Sequence, residues 1–145
     1  MAVRFTKNTS NVKLNVFIID DSPLVCDNLK DLIIELGRNA AYETDPETAL
    51  QVFERNIPEQ DDKFDVCIVD QRMPKLEGLA VIDEIQKMDN SMEIIMLTVE
   101  GKNEELEDRA LKLGIRAFID KADPQRTDHI IHAIMPIFNK KKKIL

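Results

Sequence analysis

No stretch of this chain is apolar over anything near the roughly 18 residues that a membrane span requires. Its first residues, MAVRFTKNTSNV, also lack the charged-then-apolar pattern of an export signal. Neither a membrane segment nor export is therefore expected. Cations are in deficit as well: 20 Lys and Arg stand against 27 Asp and Glu, a formal net charge of -7. The positive surface that nucleic acid needs is missing, so no direct nucleic-acid partner is expected. Cysteine occurs only at Cys26 and Cys67, one in a helical pattern and one inside an apolar run, at no spacing that builds a zinc site. Both read as reduced core thiols of a cytoplasmic protein. Internal repeats, linkers and low-complexity segments are absent apart from the lysines Lys140 to Lys143.

What is present suffices for one domain. The 145 residues are 43% hydrophobic, enough to build a core without disulfides or metals. Residues 1–13 are polar and aperiodic and read as a loose arm, residues 140–145 as a basic tail, and 14–139 as the folded domain. LNVFIID reads as a first strand, and Ser22-Pro23 as a helix cap followed by proline at the first helical position. The next helix turns Val25, Leu29, Leu32, Ile33 and Leu36 inward and stops at Gly37. A short strand follows around Ala40 to Glu43. Asp45-Pro46 repeats the capping device for a helix with Ala49, Leu50, Phe53 and Ile57 inward.

The centre of the chain is FDVCIVDQRMPKLEG, Phe64 to Gly78, an apolar run that drives into Asp70 and then turns through Met73-Pro74. A helix from about Gly78 to Met88, a strand from Glu93 to Thr98, a helix from about Lys102 to Leu113 and the strand IRAFID follow. Asp123-Pro124 is expected to open a last helix with Ile130, Ile131, Ile134, Met135 and Phe138 inward, kinked or weakened near Pro136. Five strands alternating with five helices predict an α/β fold, a doubly wound five-stranded parallel sheet between two helical layers. The order 2-1-3-4-5, flavodoxin-like, is one that right-handed crossovers allow and the one expected here.

In that order the first and third strands are neighbours, and Asp20, Asp21 and Asp70 converge at their carboxyl ends. Three carboxylates repel unless a cation sits among them, and an oxygen-only set points to magnesium. A carboxylate poised there can attack a phosphoryl group and form an acyl phosphate. The charge on the phosphoryl oxygens must then be met from other sides, and Thr98 after the fourth strand and Lys121 after the fifth are suited to it. Each residue alone has a plainer explanation, as a turn, a β-former or a surface charge. Their joint delivery to one edge does not.

The segments IIDDSP, VDQRMPKLEG, MLT and FIDK resemble the receiver domain of two-component response regulators, over roughly Leu14 to Phe138. The resemblance implies Asp70 as phospho-acceptor, with magnesium held by Asp20, Asp21, Asp70 and the backbone carbonyl of Arg72. Thr98 and Lys121 would contact the phosphoryl group, and Phe118 would be the switch aromatic. It further implies a histidine kinase or phosphotransfer protein as donor, and a downstream partner on the surface of the fourth helix, fifth strand and fifth helix. A phosphorylation-dependent homodimer belongs to the same set of expectations, and no enzyme activity beyond the domain's own phosphorylation and dephosphorylation. Ala122 stands where the family commonly has proline, Val99 where a small residue is usual, and the loop before the central strand is long.

Two rivals share the sheet order. A magnesium-dependent phosphohydrolase with an aspartyl-phosphate intermediate needs an acid-base aspartate two residues after the nucleophile, where this chain has Arg72. A flavin protein needs a Ser/Thr-rich phosphate loop after the first strand, where two carboxylates stand instead. His129 and His132 lack a third ligand and read as exposed helix residues.

Overall fold

The computed structural model of the chain describes residues 13–56 and 63–144. The expected arm, except Lys13, lies outside the described residues, as do Ile57 and most of the long loop before the central strand. The elements run β1 (Asn15–Ile19), α1 (Pro23–Glu35), β2 (Asn39–Glu43), α2 (Pro46–Asn56), β3 (Val66–Val69), α3 (Gly78–Met88), β4 (Glu93–Thr98), α4 (Glu104–Lys112), β5 (Ala117–Asp120) and α5 (Arg126–Ile144). The strands form one parallel sheet in the order β2-β1-β3-β4-β5, as expected from the sequence. No described helix is long and apolar enough to cross a membrane.

Burial explains why the sequence takes this order. Every residue of β3 is buried, as are the last four of β1 and the last five of β4, which is what continuous apolar runs require of central parallel strands. The more polar β2 and β5 lie at the edges and stay partly exposed. Alternate strand residues feed two cores. Phe17, Ile19, Cys67, Val69 and Met96 pack with Phe53, Ile82, Ile85 and Leu106 from α2, α3 and α4. Ile18, Ile68, Ile95 and Leu97 pack with Cys26, Leu29 and Ile33 of α1 and Ile130, Ile134 and Ile137 of α5.

The capping signals work where the side chain is free to turn back. Ser22 Oγ accepts from the Val25 N–H with Pro23 next in line. Asp45 Oδ2 accepts from both the N–H and the hydroxyl of Thr48, at 3.0 and 2.7 Å. Asn103 does the same for Leu106, so α4 starts at Glu104 and not at Lys102.

The last helix departs most from expectation. Asp123-Pro124 does not cap it: Asp123 Oδ1 accepts from the Gln125 N–H at 2.8 Å, forming a turn, and α5 starts at Arg126. Its buried face is Ile130, Ile134 and Ile137, while Met135 is exposed. Pro136 does not end it, because the carbonyl its ring leaves unbonded belongs to exposed His132. The basic tail expected over 140–145 is, as far as Ile144, the last part of α5. Cations suit the negative end of a helix, and Lys141 is fastened by Asp65 Oδ2 at 2.8 Å and the Lys13 carbonyl at 2.6 Å.

Candidate functional site

Because β1 and β3 are neighbours, the residues just beyond them meet. The Asp70 N–H donates to the Ile19 carbonyl at 3.0 Å, carrying the ladder one residue past the strands. One oxygen each from Asp20, Asp21 and Asp70 lie within 4.8 Å of one another. Asp20 and Asp70 are buried, at 2% and 5% exposure, whereas Asp21 faces solvent. From β5, Lys121 reaches back over the edge, with Nζ 2.6 Å from Asp20 Oδ2 and 3.1 Å from Asp70 Oδ2. The remaining oxygens are also engaged: Asp20 Oδ1 accepts from the Ser22 N–H and Asp70 Oδ1 from the Gln71 N–H.

One ammonium does not neutralise this group. The Asp70 carboxyl is pushed above its ordinary range by burial and then by the charge of Asp20, against the opposing pull of Lys121. Burial works against the charge on Lys121, yet its bonds and attraction to Asp20 and Asp70 outweigh it and raise the ammonium above its usual value. Acidic oxygens still repelling one another, with no nitrogen or sulfur donor among them, are the donor set that suits magnesium.

The other expected residues occupy the same edge or its flank. Thr98 is fully buried at the end of β4; its hydroxyl accepts from the Glu100 N–H at 3.2 Å, and its carbonyl from the Lys121 N–H at 2.9 Å. Arg72 sits two residues past Asp70, and its guanidinium makes a two-pronged pair with Glu100 at 2.6 and 3.1 Å. Val99 is exposed on the loop after β4. Phe118 lies away from the carboxylates, half-buried in β5, lining a groove with Gly101, Arg116, His129 and His132. The Lys121–Ala122 peptide is trans, as is every described peptide bond.

Two residues near the site had no signal in the sequence. Cys26, read only as a core thiol, donates to the Asp20 carbonyl at 3.2 Å and is pushed up to about 12, chiefly by burial. Gln71 is a buried polar residue whose amide reaches the start of α3. Two glycines allow close approach: a Cβ on Gly78 would lie 2.2 Å from the Asp70 carbonyl oxygen, and one on Gly101 would lie 2.1 Å from the Asp120 Cβ.

Residues 16–134 match the response regulator receiver domain family. The "Probable transcriptional regulator ycf27" of Guillardia theta is 34% identical over 131 residues, which make up 88% of this chain and 48% of that regulator. Chemotaxis protein CheY of Bacillus subtilis is 26% identical over 125 residues, 86% of this chain and 97% of CheY. The chain thus spans about half of the one relative and nearly all of the other. The solved CheX-CheY-BeF3-Mg+2 complex of Borrelia burgdorferi superposes with a TM-score of 0.75 at 27% identity, covering 86% of this chain and 89% of that one. The match runs from β1 into α5 and takes in the carboxyl end of every strand, and on that ground the chain belongs to the response regulator receiver domain family.

Proposed function

We propose that Asp70 accepts a phosphoryl group from a histidine kinase or phosphotransfer protein in the cytoplasm, and that its phosphorylation switches a partner-binding surface. The observation that carries this reading is the buried Asp70 carboxylate, bonded to Lys121 within a cluster of three carboxylates at the sheet edge. An oxygen of Asp70 attacks phosphorus in line, the bond to the donor breaks as the acyl phosphate forms, and the donor leaves with its electron pair. Lys121 and the Thr98 hydroxyl meet the charge on the phosphoryl oxygens. Magnesium, held by Asp20, Asp21, Asp70 and the Arg72 carbonyl, would supply the positive charge that lets an anionic group approach these acids. The Borrelia CheY structure, solved with BeF3, Mg2+ and CheX, supports the same chemistry and a protein partner here.

In this reading the domain is a signalling module whose only chemistry is its own phosphorylation and dephosphorylation. Phe118 is the aromatic that reports the change to α4, β5 and α5, where a downstream protein or a second copy of the chain binds. Incubation with phosphoramidate and magnesium should add one base-labile phosphoryl group, read by mass spectrometry, and Asp70→Asn should take none. A fully labelled Asp70→Asn would refute the assignment.

Two further outcomes follow from the geometry. Magnesium binds only the folded cluster, so a hundredfold excess over its Kd should stabilise the chain by about 2.7 kcal/mol, seen as a raised melting temperature. Asp21→Asn should blunt that response while leaving metal-free melting nearly unchanged, because Asp21 is exposed. The Arg72–Glu100 pair, with the bulk of Val99 beside it, should restrict the approach of water to the acyl phosphate. Arg72→Ala and Glu100→Ala should each speed dephosphorylation about threefold, an exposed pair being weak. The double variant should be no faster than either; rates equal to wild type throughout would leave the pair without a role.

A further inference from the structure

We infer that Gln71 is a positioning residue for phosphoryl uptake: its side-chain amide fastens the start of α3 to the loop that carries Asp70. The inference rests on the acceptor role proposed for Asp70. Gln71 directly follows the acceptor and is 5% exposed, one of four buried polar or charged residues among those described. A helix begins with free N–H groups that its capping residue ordinarily bonds. At α3 the capping position is held by Glu77, whose side chain makes no such bond.

Gln71 does the work from outside the helix. Its Oε1 accepts from the Leu79 N–H at 2.9 Å, and its main-chain carbonyl accepts from the Gly78 N–H at 3.0 Å. Its Nε2 donates to Glu77 Oε2 at 3.3 Å, and its own N–H donates to Asp70 Oδ1 at 2.7 Å. All four of its polar groups are thus committed, three to the first turn of α3 and one to the acceptor carboxylate. The two main-chain bonds belong to successive peptide planes, so the peptides on both sides of the Gln71 Cα are held, one by Asp70 and the other by Gly78.

A buried residue that only filled space would not need this chemistry, and leucine would fill the site as well. Leucine would, however, strand the Leu79 N–H on a residue that is itself buried, at the cost of an unmet donor. The loop would then relax, moving the Asp70 carboxylate and the Arg72 carbonyl that follows it. Partners that orient ligating and reacting groups commonly change rate or metal affinity by roughly 10- to 100-fold when removed.

The test compares wild type, Gln71→Leu and the exchange variant Gln71→Glu with Glu77→Gln, which keeps an acceptor for Leu79 and reverses the side-chain hydrogen bond. Three quantities are read on the full chain: hydrogen exchange at the Leu79 amide without metal, the melting temperature, and the rate of phosphoramidate uptake with magnesium. Gln71→Leu should speed Leu79 exchange and slow uptake, each about tenfold, and the exchange variant should recover most of both. Uptake by Gln71→Leu within about twofold of wild type would overturn the inference, as would slowed uptake with unaltered Leu79 exchange. A wild type that takes no phosphoryl group would overturn the acceptor reading and this role with it, and the metal-free exchange data would still show whether the clamp itself exists.

Discussion

Replacing Lys121 with methionine should slow phosphoryl uptake at Asp70 by at least roughly 100-fold, the usual cost of losing one preorganised charge aimed at the reacting group. The fold should weaken at the same time. Lys121 Nζ touches both buried carboxylates, Asp20 and Asp70, and its own side chain is only 16% exposed. Methionine would leave those two acids facing each other with no counter-charge, a change worth about 3 kcal/mol when one partner of a buried pair is removed. Magnesium should offset more of that loss in the variant than it adds to wild type, because no ammonium competes for the oxygens.

The pH dependence separates this account from a plain packing defect. Asp70 is raised, so the folded state holds its proton more tightly than the unfolded chain. Its ionisation therefore costs stability, a cost absent below the ordinary carboxylate range and fully present above the raised value. Removing Lys121 takes away the influence that lowers Asp70, so the variant should go on losing stability further toward neutral pH than wild type does. Lys121 is itself raised, so wild type carries a contribution that holds through neutral pH and is lost as pH climbs through the folded lysine value. The variant should lack that alkaline loss. Parallel melting-versus-pH curves, or uptake within about tenfold of wild type, would show that the ammonium is not an electrostatic clamp.

How much of this was legible in the sequence depended on whether a signal was local. The runs ending at Ile19, Val69 and Thr98 are apolar because both faces of their strands are covered, so period and length alone placed Asp20 and Asp70 at one edge. Ser22-Pro23 and Asp45-Pro46 cap helices as read. Asp123-Pro124 has the same form and fails, because Asp123 is spent on Gln125 and, at 3.2 Å, on His129. Dipeptide chemistry does not reveal that competition.

The inward face of α5 was misjudged for a related reason. Met135 has the right spacing for the core but is exposed, and Ile137 takes the buried place. Gln71 is the harder case: a glutamine after a strand reads as solvated loop, and its burial follows only from where α3 returns against β3. Lys121 was placed at the edge by its strand. That it bridges two carboxylates depends on its length and on the neighbouring loops.

A methyl group at Gly78 should slow uptake roughly 100-fold, since a misplacement of about 1 Å can cost that much. A Cβ there would lie 2.2 Å from the Asp70 oxygen, 2.9 Å from its carbonyl carbon and 2.9 Å from the Gln71 Cα. All three are backbone atoms, so no side-chain rotation relieves the overlap. Either the Asp70 peptide moves, or α3 backs away from β3 and stretches the Gly78 bond to the Gln71 carbonyl, 3.0 Å in the native fold. Both responses displace the acceptor. Overpacking of this kind costs about 1 to 3 kcal/mol, so lost stability alone could be mistaken for the cause of lost uptake. Gly37 supplies the control. It has φ of +78° and nothing within 4 Å of where a Cβ would stand, so Gly37→Ala should cost about 1 kcal/mol through conformation only and leave uptake intact. Uptake measured well below both melting transitions should then fall for Gly78→Ala and hold for Gly37→Ala. Rates within about threefold of each other would mean that the approach of Gly78 to Asp70 serves folding and not the acceptor.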